Sequence, residues 1–141
     1  TTEIYTLSLH DALPISPNLK ILDTLPHQQL IEYYRRSMVY CQLSRMESFC
    51  LALAEAMYFD CYPLITSAGG MPEVTGSYGK VVTRDAALIA AQIRELLAKE
   101  QNYFFREHIQ KYFSIEKRSS ELNRTISDIF INKARIVNHN I

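Results

Sequence analysis

Two glutamates in one apolar segment are the residues of this sequence best suited to chemistry. Glu47 opens the run Glu-Ser-Phe-Cys-Leu-Ala-Leu-Ala-Glu-Ala-Met, and Glu55 follows it after seven intervening residues. The run comes after a β-rich segment and begins a predicted helix, and ligands of open α/β sheets bind outside the carboxyl ends of strands. The amides of Ser48, Phe49 and Cys50 would then be unpaired donors at the helix N-terminus, where phosphate or sugar oxygens can bind.

The spacing of the two glutamates also allows a purely structural interpretation. Glu47 could be a first-turn partner of the helix dipole, and Glu55 could lie on the exposed stripe of its helix. If Glu55 were buried instead, its carboxylate would need a partner, because burying a bare charge is costly. The spacing alone leaves both interpretations open.

The elements that would position these glutamates alternate between strands and helices. The patterns predict strands at 19–22, 38–43, 62–66 and 79–82, and helices at 28–37, 49–59, 86–100, 103–113 and 115–133. Pro72 suits the first turn of a further short helix, and Asp85 is a predicted N-cap. This alternation implies parallel pairing and a doubly wound, Rossmann-like α/β domain.

The composition argues against several classes of function. Fifteen basic and fifteen acidic residues balance, so the chain has no signature of a nucleic-acid partner. The three cysteines (Cys41, Cys50 and Cys61) have no metal-ligand spacing, and we expect buried free thiols in a reducing compartment. We expect His108 to be a surface residue. No apolar run approaches the roughly 20 residues of a membrane span, so we expect a cytoplasmic protein, with peripheral membrane association open for the full-length protein.

The first sixteen residues have a pattern of their own. Residues 1–15 match one reading frame of DNA that resembles a widely used sequencing-library adapter, and the trailing base can begin the codon for Ser16. We therefore expect residues 1–16 to be an adapter-derived, non-native segment and exclude them from the predicted fold.

The remaining motifs resemble the donor-binding half of retaining, GT-B type glycosyltransferases. Besides the run that begins at Glu47, they are Pro63-Leu-Ile, the stretch Gly69-Gly-Met-Pro-Glu-Val and Gly79, in the family's order and close to its spacing. The resemblance covers residues 17 to 131 and implies the C-terminal part of a GT-B donor domain. We assign residues 17–135 to this partial domain and residues 136–141 to a frayed tail.

The resemblance implies a role for each candidate site residue. The Glu47 position holds hydroxyls of the donor sugar, and the Glu55 position takes the ribose hydroxyls of the nucleotide. The backbone of residues 48–51 (Ser48, Phe49, Cys50 and Leu51) approaches the sugar and the diphosphate. The Gly69-Gly70 loop packs near the donor, with an ordinary strand-to-helix turn as the open alternative. The implied donor substrate is a nucleotide diphosphate sugar, with no metal and no further cofactor.

Three positions depart from the pattern of the family. Ser48, Cys50 and Asp60 stand where glycine is usual. Cys50 would add bulk where the backbone should approach the donor. We expect Asp60 to end its helix in a left-handed conformation, at a cost of about 1 kcal/mol relative to glycine.

The resemblance also implies parts that this sequence does not show. They are an N-terminal acceptor domain, expected upstream in the same gene, and an Arg and a Lys that neutralise the leaving diphosphate. Without the central first strand, strand 19–22 would lack an inner neighbour and strand 38–43 would become an edge. We therefore expect a marginally stable, inactive fragment of an enzyme with an unidentified acceptor. A non-catalytic GT-B-like partner or nucleotide-sugar-binding module remains the alternative.

Overall fold

The chain forms two compact units, residues 1–36 and residues 37–141. The computed structural model describes residues 4–7, 18–99 and 103–138, and for 4–7 and 132–138 it describes the backbone alone. The predicted α/β class is confirmed: short parallel strands alternate with helices in most of the chain.

The first unit pairs two parallel strands and adds one helix. Strand β1 (Ile4–Leu7) pairs with β2 (Leu19–Leu22), and α1 spans His27–Arg36. Strand 19–22, expected to lack an inner neighbour, therefore has one parallel neighbour, β1. Residues 4–7 are rich in β-branched and aromatic types that favour strands, although they fall in the segment expected to be adapter-derived. The origin of residues 1–16 stays a prediction.

The second unit contains a three-stranded parallel sheet in the order β3-β4-β5. Its strands are β3 (Val39–Gln42), β4 (Tyr62–Ile65) and β5 (Lys80–Val81). Ile65 pairs with Gln42 on one side and with Val81 on the other. Among these strands β3 lies at an edge, as predicted.

Five helices lie in the described residues of the second unit. They are α2 (Leu51–Tyr58), α3 (Met71–Thr75), α4 (Ala86–Leu97), α5 (Phe105–Phe113) and α6 (Ile115–Asn138). Asp85 caps α4 as predicted, because its Oδ1 accepts a 2.9 Å hydrogen bond from the amide of Leu88. Helix α6 continues past residue 136, the expected start of a frayed tail, and residues 139–141 lie outside the described residues. In the described part of the chain, no helix combines the length and the apolar composition that a membrane span requires.

The core of the second unit lies between the central strand and three helices. Leu64 and Ile65 of β4 are fully buried. The buried side chains packed on this strand come from α2 (Leu53, Met57), α3 (Met71, Val74) and α5 (Phe105, Ile109). Full burial of one such side chain contributes about 1.5–3 kcal/mol. This packing fixes α2 and α3 on the sheet, and with them the loops that precede both helices.

Two side-chain predictions for this unit are wrong. His108 is half-buried: its Nε2 lies 2.9 Å from the carbonyl oxygen of Val74, and its ring packs on Tyr78. Because a carbonyl only accepts, Nε2 carries the hydrogen. The cause is the packing of α5 on α3, which the sequence pattern of α5 alone does not reveal. Cys41 is exposed although Cys50 and Cys61 are buried as expected, because strand side chains alternate between faces.

The left-handed conformation expected at Asp60 is confirmed. Its φ is 62°, and its Oδ1 accepts a 3.1 Å hydrogen bond from the amide of Arg106 at the start of α5. Asp tolerates this region of φ better than most residues. The hydrogen bond offsets part of the strain and ties the end of α2 to α5.

Candidate functional site

Two loops meet at the carboxyl ends of β3 and β4, and both carry predicted site residues. The β3–α2 loop contains Glu47 and Ser48, and the β4–α3 loop contains Gly69 and Gly70. The amide of Gly70 donates a 2.7 Å hydrogen bond to the carbonyl oxygen of Ser48. The structure therefore brings together four of the predicted residues through their backbones.

The contact between these loops requires glycine. A Cβ at Gly69 would lie 1.7 Å from the carbonyl oxygen of Glu47, and one at Gly70 would lie 2.7 Å from that of Ser48. Gly69 also has a φ of 55°, in the left-handed region that favours glycine. Both glycines thus let one loop lie directly on the backbone of the other.

The carboxylate of Glu47 is half-buried and held by its own loop. Its Oε1 accepts a 3.1 Å hydrogen bond from the amide of Ser48, and its Oε2 accepts one of 3.3 Å from Nε2 of Gln42. The prediction that the Ser48 amide is an unpaired donor is therefore wrong, because this amide donates its hydrogen bond to the carboxylate of Glu47.

The N-terminus of α2 also lies later than predicted. The helix begins at Leu51, with Cys50 as its N-cap residue. The amide of Leu53 already bonds to the carbonyl oxygen of Cys50, at 3.1 Å. Together with the amide of Cys50 itself, the amides without an intrahelical acceptor are therefore those of Leu51 and Ala52.

Cys50 occupies a left-handed position with its side chain in the core. Its φ is 64° and its ψ is 70°, and the residue is only 6% exposed. Its side chain is therefore part of the core cluster, and the expected effect of its bulk on the donor stays a prediction. Burial raises the pKa of the thiol against an opposing hydrogen bond from the Leu53 amide, and the charge of Glu47 and a hydrogen bond to it raise the pKa further.

Phe49, Leu51 and Glu55 line the outer side of the same region. Phe49 is partly exposed, and its ring packs on Phe113 with 5.5 Å between the centroids. Leu51 is 65% exposed and lies one turn before the half-buried Glu55, on the same face of α2. Water thus reaches Glu55, so its position in an apolar helix does not by itself demand a buried partner.

A polar network beneath Glu47 was missed by the sequence analysis. Gln42 Oε1 accepts a 2.7 Å hydrogen bond from the hydroxyl of Tyr40, and Gln42 Nε2 donates a 2.8 Å bond to Oγ of Ser44. The hydroxyl of the buried Thr66 donates a 2.6 Å bond to the carbonyl oxygen of Ser44. The available signal was a polar residue at the end of each apolar strand, namely Gln42 and Thr66.

Within residues 4–7, 18–99 and 103–138 there is no cluster of three or more His, Cys, Asp or Glu side chains able to hold a metal ion. The polar atoms gathered at the two loops are carboxylate, amide and hydroxyl groups. They can accept hydrogen bonds from hydroxyls and donate them to oxygens of a polar ligand.

Comparison with known proteins assigns the chain to a family. No curated protein matches this sequence. The family model described as "Glycosyl transferases group 1" matches residues 4–120, a range that contains both loops and begins within the segment expected to be adapter-derived. Since the match spans most of the chain, and the parallel α/β sheet agrees with it, this chain belongs to the group 1 glycosyltransferases.

Proposed function

We propose that this chain is the donor-binding part of a retaining glycosyltransferase whose donor is a nucleotide diphosphate sugar. Membership of the family supports glycosyl transfer. The observation that carries the finer proposal is the backbone contact of Glu47 and Ser48 with Gly69 and Gly70. That contact lies at the carboxyl ends of parallel strands, where open α/β sheets bind their ligands.

In this proposal Glu47 binds a hydroxyl of the donor sugar. A carboxylate has roughly four acceptor positions. The Ser48 amide and the Gln42 side-chain amide are protein donors to Glu47. These bonds leave room for a sugar hydroxyl and hold the carboxylate in one orientation.

The nucleotide would then lie along the start of α2. The amides of Leu51 and Ala52 are suited to diphosphate oxygens because they have no intrahelical acceptor. One turn further on, Glu55 is half-exposed on the face that it shares with Leu51, so it can accept hydrogen bonds from both ribose hydroxyls.

We propose that the isolated chain binds the donor without turning it over. Departure of a diphosphate needs nearby positive charge, and the resemblance assigns this task to an Arg and a Lys that have no counterparts in the motifs of this sequence. An acceptor domain from the same gene would supply the second substrate.

A non-catalytic nucleotide-sugar-binding module remains a second candidate. The replacements of the glycines usual in the family, by Ser48, Cys50 and Asp60, favour it. Turnover by the intact gene product separates the two candidates: a transferase hydrolyses or transfers the sugar of its donor, whereas a binding module leaves the donor unchanged.

The proposal is tested by titrating the 141-residue chain with UDP, GDP and ADP and with UDP-glucose, GDP-mannose and ADP-glucose. One hydrogen bond to a charged group contributes roughly 1.5–3 kcal/mol. Glu55→Gln should therefore lower the affinity for the nucleotide and for the nucleotide sugar by about tenfold. Glu47→Gln should lower only the affinity for the nucleotide sugar, by about tenfold.

Glu116→Gln is the matched control, because Glu116 is exposed in the first turn of α6. It should leave every affinity unchanged. Absence of binding to all six ligands, or unchanged nucleotide binding by Glu55→Gln, would contradict the proposed site.

A further inference from the structure

The side-chain amide of Gln42 has one orientation that satisfies all its neighbours. Its Nε2 carries two hydrogens, which point to Ser44 Oγ and to Glu47 Oε2, and its Oε1 faces the hydroxyl of Tyr40. The reverse orientation would set the amide oxygen against the carboxylate of Glu47, acceptor against acceptor. The charge of Glu47 and the amide of Gln42 therefore fix each other.

The support for Gln42 comes from two strands. Tyr40 and Gln42 are two residues apart on β3, so their side chains lie on the same face. The backbone of Gln42 is joined to β4, because its carbonyl oxygen accepts a 3.2 Å bond from the amide of Thr66. The hydroxyl of Thr66 in turn holds the carbonyl of Ser44. Because Gln42 is fixed in the sheet, its hydrogen bond also fixes the carboxylate of Glu47, which lies in a loop.

We infer that Gln42, held by Tyr40, is a positioning residue that orients the Glu47 carboxylate toward the donor sugar. This inference rests on the proposed function. It goes further by assigning sugar affinity to a residue that would not touch the ligand. Replacing Gln42 should not change the binding of the nucleotide moiety, because the proposed contacts of the nucleotide lie on α2.

The test uses Gln42→Met, which keeps the length of the side chain and removes both the oxygen and the nitrogen of the amide group. Affinity for the nucleotide diphosphate sugars named above should fall about tenfold, the effect expected for losing a hydrogen bond to a charged group. Affinity for UDP, GDP and ADP should stay the same. In a Glu47→Gln background, Gln42→Met should have less than about a twofold further effect, because residues that act through one another are not additive.

Further variants separate positioning from a loss of folding. Gln42→Glu sets a second carboxylate against Glu47 and should cost more sugar affinity than Gln42→Met. Gln110→Met is the control, because Gln110 is exposed on α5. Without any ligand, Glu47→Gln should shift the side-chain amide resonances of Gln42 in a ¹H–¹⁵N spectrum.

The possible outcomes are distinguishable. Failure of the parent chain to bind any of the six ligands overturns the proposed function and the positioning role together. Three results overturn the positioning role alone. The first is that Gln42→Met lowers the affinity for nucleotides as much as the affinity for nucleotide sugars. The others are additive effects of Gln42→Met and Glu47→Gln on affinity, or side-chain amide resonances of Gln42 that do not shift in Glu47→Gln.

Discussion

Replacing Gly69 with alanine tests whether direct backbone contact holds the two site loops together. Gly76 provides a comparison, because its φ of 58° is close to the 55° of Gly69, although its ψ of −126° lies outside the left-handed helical region. The two glycines differ in what a Cβ would meet. At Gly69 it would lie 1.7 Å from the carbonyl oxygen of Glu47, whereas at Gly76 it would lie 2.9 Å from Cε1 of the His108 side chain.

The expected costs follow from these two environments. Both substitutions place a side chain on backbone with a positive φ, at a cost of about 1–3 kcal/mol each. A Cβ at residue 76 would displace the imidazole of His108 rather than backbone. The backbone of Glu47 has to move for Gly69→Ala, which also breaks the bond from Gly70 to Ser48, worth about 1 kcal/mol. We expect a total of about 3 kcal/mol for Gly69→Ala.

Urea unfolding of both variants, followed by circular dichroism in a stabilising osmolyte, measures the difference. With a slope of about 1–3 kcal/mol per molar urea, a loss of about 3 kcal/mol should lower the midpoint of Gly69→Ala by roughly 1 M or more relative to the parent chain. Gly69→Ala should also weaken binding of nucleotide sugars, because it displaces Glu47, whereas Gly76→Ala should not. A midpoint of Gly69→Ala equal to that of the parent chain would refute the contact between the loops as a source of stability.

Two further predictions concern Asp60 and Cys61. Asp60→Ala keeps the left-handed strain and loses the bond from the Arg106 amide, so it should destabilise the chain by about 1 kcal/mol. Asp60→Gly relieves the strain and should be more stable than Asp60→Ala in urea unfolding; the reverse order would contradict the strain argument. Burial, assisted by the charge of Asp60, raises the pKa of Cys61 from 9.0 to about 12. The unfolded chain therefore releases this proton above pH 9 while the folded chain retains it, so stability should fall as the pH rises from 9 toward 12. Cys61→Ala should make the urea midpoint less dependent on pH in that range, and parallel pH curves would show that Cys61 does not contribute.

The order and type of the elements could be predicted because the relevant signals are local. The apolar run of β4 and the cap at Asp85 lie where the sequence predicted them. The ends of elements were less predictable: α2 begins at Leu51 because Cys50 adopts a left-handed conformation. The pairing of β1 with β2 was missed because residues 1–16 had been excluded from the predicted fold.

The candidate site was predicted only in part. The sequence motif pointed to Glu47 and to Gly69-Gly70, and the structure shows that these residues are neighbours. It did not point to Gln42, whose importance depends on a side-chain bond to Glu47 across the β3–α2 loop. The burial of His108 also depends on a distant residue, because the carbonyl of Val74 is 34 positions away.

The sequence by itself determined the alternation of strands and helices, the family motifs and the positions of the two glutamates, because periodicity and spacing are properties of neighbouring residues. The tertiary structure alone decided which groups surround the carboxylate of Glu47, and that the side chain of Cys50 enters the core. It also showed that the β4–α3 loop can lie against the β3–α2 loop because Gly69 has no Cβ. These features depend on packing between segments distant along the chain, where a few tenths of an ångström separate a contact from a clash.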